Sequence, residues 1–193
     1  MIGPLGIIGC LGAIFVIAII FGIWGVSLYN KLVKIKNRAE NAWADVDVQL
    51  KRRYDLIPNL VETVKGYASH EKETLENVIQ ARQQAIQVTD DVAKMAEAEN
   101  TLTQALRQLF AVAEAYPDLK ANQNFLELQT TLDKIEMELA QARRYYNAVV
   151  RDLNTMVETV PTNIVASLFD FDQREYFELE DEAERQAPSV DFS

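Results

Sequence analysis

Cysteine and histidine are almost missing from this chain: Cys10 and His70 stand alone. A single cysteine excludes an intramolecular disulfide and a cysteine-based zinc site. A single histidine excludes the paired Glu-x-x-His ligands with which helical bundles hold two metal ions. No glycine-rich phosphate loop is present, and no GKS or GKT. Basic excess is missing too. The net charge of −10 argues against a nucleic-acid partner, which calls for a positive field. Beyond residue 30 the chain has one glycine, Gly66, and four prolines, Pro58, Pro117, Pro161 and Pro188. Long helices therefore meet few interruptions, and no stretch alternates as a strand would. What is there suits a folded protein: 49% hydrophobic and 25% charged residues. Carboxylates are plentiful, as on any bundle surface, and single out no catalytic set. His70, in Ser69-His70-Glu71 where one helix breaks and another restarts, reads as a structural or exposed residue. Neither a metal nor a cofactor is implied, and an enzyme reading that uses carboxylates with Arg52 or Arg53 ranks last.

Charge is also absent from Ile2 to Asn30, and an apolar run covers Leu5 to Tyr29. A bilayer core takes about 20 apolar residues as a helix, so this run is long enough to span it. Trp24 and Tyr29 sit near one end, where interfacial aromatics belong. A cleavable signal peptide is the competing reading, but that needs a basic start and an apolar run of about 7–15 residues. No Lys or Arg precedes residue 31, and the run is too long. Lys31, Lys34, Lys36 and Arg38 follow directly, with no acid among them. The positive-inside rule then puts residues 31–193 in the cytoplasm and the N-terminus outside. The same four cations are suited to hold the juxtamembrane helix against anionic lipid.

Beyond the span the apolar residues recur at helical spacing. Phe125, Leu128, Leu132, Ile135, Leu139, Ala142, Tyr146, Val149, Leu153, Met156 and Val160 alternate steps of three and four, a heptad seam that winds against partner helices. Met95, Ala98, Leu102, Ala105, Leu109, Val112 and Tyr116 repeat it, with Pro117 as the stop. A third stripe includes Trp43, Val46, Leu50, Ile57, Leu60 and Val64. It continues from the span without a breaker before Pro58, so anchor and first bundle helix should form nearly one rod. A fourth is Leu75, Val78, Ile79, Arg82, Ala85 and Ile86, after which Thr89 or Asp90 is placed to cap the next helix. Four seams with short turns predict an all-α fold, one transmembrane helix running into an antiparallel bundle. The expected division is an anchor over 1–30, a bundle over 31–169 and an acidic tail over 170–193. That tail has nine acids against Arg174 and Arg185, and Phe169, Phe171, Tyr176 and Phe177 at its start offer a means of docking.

The stretch RRYDLIPNL, Arg52 to Leu60, carries a proline inside a helical pattern. Asp55 lies three residues after Arg52, within reach for an ion pair. Pro58 has no N–H for the Tyr54 carbonyl and clashes with it, at a cost of about 3 kcal/mol inside a helix. The helix should kink here, or stop near Leu56 and restart. The freed carbonyl needs a donor, from Arg52, Arg53 or Asn59 or from another helix. Asn147, Arg151 and Asn154 offer polar partners, and the expectation is that this stretch locks into Asn147 and Asn154 as a register device. The alternative is a recognition surface built from Arg52, Arg53, Asp55, Pro58, Asn59, Asn147, Arg151 and Asn154.

Asn41 to Leu75, NAWADVDVQLKRRYDLIPNLVETVKGYASHEKETL, resembles the signature of the LemA family of bacterial membrane proteins. ARRYYNAVVRDLN (Ala142 to Asn154), PTNIVASLF (Pro161 to Phe169) and YFE (Tyr176 to Glu178) are similar to its later motifs. The resemblance covers the anchor and nearly the whole domain. It implies an up-and-down four-helix, bromodomain-like bundle behind one N-terminal span, in bacterial envelopes and, for one branch, magnetosome membranes. It implies no established biochemical activity. The reading that follows is a non-enzymatic scaffold or interaction protein of the bacterial inner membrane. Its expected partners are the lipid bilayer and either copies of itself or another membrane protein. Gly9, Gly12, Gly22 and Gly25 in the span suit close helix contact. The second reading is a regulatory adaptor for a membrane protease or other envelope enzyme, with the acidic tail as docking element.

Overall fold

The computed structural model describes residues 4–88 and 91–178, with residues 4–11 and 13 as backbone only. Among them the regular structure is all helical: α1 Pro4–Lys65, α2 Lys72–Gln87, α3 Val92–Glu114, α4 Pro117–Lys120, α5 Gln123–Glu158 and α6 Thr162–Leu168. Helix α1 is long and apolar enough to cross a membrane; between Ile14 and Lys65 the mean hydropathy reaches 1.8 over an 18-residue stretch. Its side chains from Ile14 to Val26 are largely exposed, as lipid-facing residues are in the absence of lipid.

The helix ends follow local chemistry. The Asp91 carboxylate accepts a 2.9 Å bond from the Lys94 amide and caps α3. This cap falls one residue beyond the expected Asp90, which with Thr89 lies outside the described residues. Extended backbone at Asp91 turns its side chain onto the first free amides. Pro117 opens α4 at a position where its missing N–H costs nothing. Asn122 Oδ1 accepts from the Phe125 amide at 3.0 Å where α5 begins. Helix α1 continues through Pro58 to Lys65, so the expected stop near Leu56 is absent.

The described chain forms two compact units. The first takes residues up to Ala42 with Ala148–Arg174. Its core is Ala39, Val149 and Leu153, flanked by Ile35 and Val157. The Tyr29 ring meets Phe169 at 4.8 Å and Phe171 at 5.7 Å. After α6 the chain turns through Asp170 at φ 54, and the Phe171 amide bonds back to the Ala166 carbonyl at 3.0 Å. This left-handed residue closes the helix end, in the place glycine most often takes.

The second unit takes Trp43–Asn147 and the residues from Glu175 onward. Its main core draws on parts of α1, α2, α3 and α5, with Ile57, Leu60, Leu75, Val78, Leu102, Leu109, Phe125 and Leu132 all buried. The expected seams are therefore inside, with three corrections. Ile79 and Ile86 are exposed, and Ala81 takes the place between Val78 and Ala85. Val160 lies beyond the end of α5 and is exposed.

Candidate functional site

The stripe on α1 has a gap. Leu50 and Ile57 are core residues, and the seam position between them is held by Arg53. Heptad spacing turns that side chain inward whatever its polarity. Arg53 is 1% exposed, and the α3 residue that meets it, Glu99, is fully buried. The guanidinium of Arg53 donates through Nη1 to Glu99 Oε2, and through Nη2 to Thr103 Oγ1 at 2.9 Å. Its Nε lies 2.7 Å from Glu136 Oε1 of α5. The second Glu99 oxygen accepts from the Tyr54 hydroxyl at 2.5 Å. One buried cation thus ties three helices together through two carboxylates and the Thr103 hydroxyl, with the Tyr54 hydroxyl joined through Glu99.

The electrostatics follow from this burial. Tyr54 is pushed well above the ordinary phenol range, first by desolvation and then by the Glu99 carboxylate, which repels a phenolate and accepts the phenol proton. Glu136 is raised above its ordinary value by burial; the neighbouring Arg53 pulls the other way, and Glu99 adds to the rise. Beside the network a cleft of about 470 Å³ opens between α3 and α5, lined by Arg53, Thr103, Arg107, Glu136, Met137 and Arg143.

Arg52, one residue along, faces outward. It donates to Glu138 Oε2 at 2.5 Å and to Gln49 Oε1 at 2.8 Å. The expected Arg52–Asp55 pair is not formed, because helical side chains lean toward the helix N-terminus and so toward Gln49. Asp55, Pro58, Asn59 and Arg151 are exposed and lie outside the network. The donor for the carbonyl that Pro58 frees is Arg82 of α2, whose Nε reaches Tyr54 O at 2.7 Å.

Asn147 and Asn154 do not lock into RRYDLIPNL. In the second unit Asn147 donates to Phe177 O at 3.1 Å and accepts from Phe177 N at 2.9 Å. Phe177 is buried beside Trp43, and Tyr146 donates to Glu175 O at 3.1 Å. In the first unit Asn154 makes the same two bonds with Arg174, both 2.9 Å. A primary amide offers one donor and one acceptor side by side, as a peptide group does, so each asparagine pairs with one residue's backbone. Arg174 also binds Glu40 Oε1 at 2.9 Å. The start of the acidic tail, to Glu178, is therefore held by helices; residues 179–193 lie outside the described part. Lys31, Lys34, Lys36 and Arg38 are exposed along α1, and Lys36 Nζ sits 5.9 Å from the Phe171 ring centre.

Glu99, Thr103, Glu136 and Arg82 were not among the expected site residues. Arginines inside two apolar stripes, Arg53 and Arg82, were the available signal, since a buried cation demands partners.

The model of the LemA family matches residues 42–192, which takes in all of this network. Protein LemA of Metamycoplasma hominis is 28% identical over 141 residues, 73% of this chain and 64% of its own length. Magnetosome protein MamQ 2 of Paramagnetospirillum magneticum is 22% identical over 175 residues, 78% of this chain and 64% of its own. Magnetosome protein MamQ of Magnetospirillum gryphiswaldense is 21% identical over 174 residues, with shares of 77% and 64%. The chain spans 64% of the length of these relatives.

Proposed function

Since this chain belongs to the LemA family, we propose that it is a membrane-anchored helical protein that acts by association, as a scaffold for copies of itself or for other envelope proteins. In this reading the helices of the second unit form an antiparallel, up-and-down four-helix bundle. The apolar half of α1 crosses the bacterial inner membrane, and Lys31, Lys34, Lys36 and Arg38 keep the bundle on the cytoplasmic side. The observation that carries the reading is the internal use of the candidate site's polar groups. Arg53 is taken up by Glu99, Thr103 and Glu136, and Asn147 and Asn154 by backbone. Groups turned to each other in this way fix helix register and leave recognition to the outer surface. Relatives named as magnetosome proteins support a membrane setting for this role.

The test is to cross-link the full chain in its native membrane, extract it in mild detergent, and measure the mass and composition of the complex. A species of several chains, or one with a stoichiometric second protein, is the expected result. A bare 21.9 kDa monomer would overturn the scaffold reading.

A further inference from the structure

Ile164 and Leu168 are spaced four apart on the outward side of α6, with exposed Val160 in the turn before the helix and exposed Phe169 directly after it. The exposures of Val160, Ile164, Leu168 and Phe169 are 76%, 65%, 72% and 52%, whereas Ala166 on the opposite side is buried. Single exposed apolar residues are ordinary, but four large ones within ten residues form a patch, and patches of this kind mark contact surfaces. The same ten residues, Val160 to Phe169, carry no charge in a chain that is 25% charged.

The surroundings within the first unit say what covers this face. Phe169 packs at 4.8 Å on Tyr29, the last aromatic residue of the apolar run of α1, and Phe171 packs on the same ring. Two residues on, the exposed cations begin with Lys31 and Lys34. Tyrosine at the end of a span, followed by lysines, marks the headgroup level of a bilayer. The patch is pinned to that level by the Tyr29–Phe169 contact.

We propose that α6 is an interfacial helix whose Ile164–Leu168 face, with Val160 and Phe169 at its two ends, inserts into the boundary between lipid headgroups and acyl chains, giving the protein a second, monotopic membrane contact. Interfacial helices bury their apolar faces about 5–10 Å into this boundary, which four side chains of this size reach. The inference rests on α1 crossing the bilayer.

The test uses the full chain in phosphatidylcholine–phosphatidylglycerol vesicles, with Cys10→Ser as background and single cysteines Ile164→Cys, Leu168→Cys and, on the exposed side of α5, Lys134→Cys. Each cysteine carries an environment-sensitive nitrobenzoxadiazole dye. The expected result is blue-shifted emission at 164 and 168, quenched more by lipids brominated near the headgroup than by lipids brominated at the chain ends, with position 134 quenched by aqueous iodide instead. Iodide quenching at 164 and 168 equal to that at 134 overturns the proposal. So does energy transfer between labelled copies at 164 that fades on dilution with lipid, because a second copy then covers the face. Carbonate extraction of each variant separates the two readings: release of the protein removes the spanning anchor itself, whereas retention with iodide-accessible dyes removes only the interfacial helix.

Discussion

Arg82 Nε donates to the carbonyl oxygen of Tyr54 at 2.7 Å, the acceptor that the amide of residue 58 uses in an uninterrupted helix. Proline at 58 leaves that carbonyl without its helical partner, and a side chain from α2 takes over. The two residues should therefore be energetically coupled. Arg82→Ala is expected to destabilise the chain by about 1–3 kcal/mol, the range for an acceptor left unpaired. In a Pro58→Ala background, where an amide is available again, the same substitution should cost clearly less. Thermal unfolding of the four chains in detergent, followed by circular dichroism, measures this. Strict additivity would remove the link between Pro58 and Arg82.

The Arg53–Glu99 pair should behave as buried pairs do. Removing Arg53 by Arg53→Met strands the fully buried Glu99 carboxylate and should cost about 3–5 kcal/mol, whereas Glu99→Leu leaves Arg53 its Glu136 contact and should cost less. Replacing both together should restore part of that loss, because well-packed apolar residues substitute for a buried pair at little cost, while the Tyr54 hydroxyl and Glu136 still lose their partners. Urea unfolding of the two single variants and the double variant decides it. A double variant as unstable as the sum of the singles would contradict the account of this network.

Glu136 supplies a pH dependence with a definite sign. Its folded-state value is raised, mainly by burial, above the ordinary 4.5. The folded chain thus holds this proton more tightly than the unfolded chain. The resulting stabilisation is fully present below pH 4.5 and is lost as pH rises through the folded value. Relative to Glu136→Gln, the parent should gain stability on acidification from neutral pH and level off below 4.5. A difference that stays flat with pH, or grows toward neutral pH, runs against this.

The asparagine clamps lend themselves to proteolysis. Asn154 holds both backbone groups of Arg174, a tryptic site. Asn154→Leu removes both bonds and should speed cleavage after Arg174 several-fold, about the effect of losing 1–2 kcal/mol of local stability when opening limits access. Asn154→Asp should act in the same direction, since a carboxylate keeps the acceptor and loses the donor. Equal cleavage rates in parent and variants would show that the segment is held by other contacts.

The seams were legible because burial imposes a period on one helix at a time. Val46, Leu50, Ile57, Leu102, Leu109, Leu132 and Leu139 are all inside as their spacing required. Partners across helices were not legible. Nothing local says that Arg53 meets Glu99, 46 residues away, or that Asn147 meets Phe177. The phase of α2 also slipped. Alanine at 81 is too small to weigh against Ile79 and Ile86 in a hydropathy pattern, yet close helix packing selects small residues. The need for a donor at Tyr54 followed from Pro58 alone, but the identity of the donor did not.

The Tyr54 phenol has a use beyond the network. Its proton is held by burial and by Glu99 well past the ordinary range, so it should stay silent in an alkaline absorbance titration of the folded chain. Its signal arrives only when the junction of α1, α3 and α5 parts. Tyr54 is in this way an intrinsic, label-free timer of core opening, readable in a stopped-flow pH jump and present in every preparation of the protein.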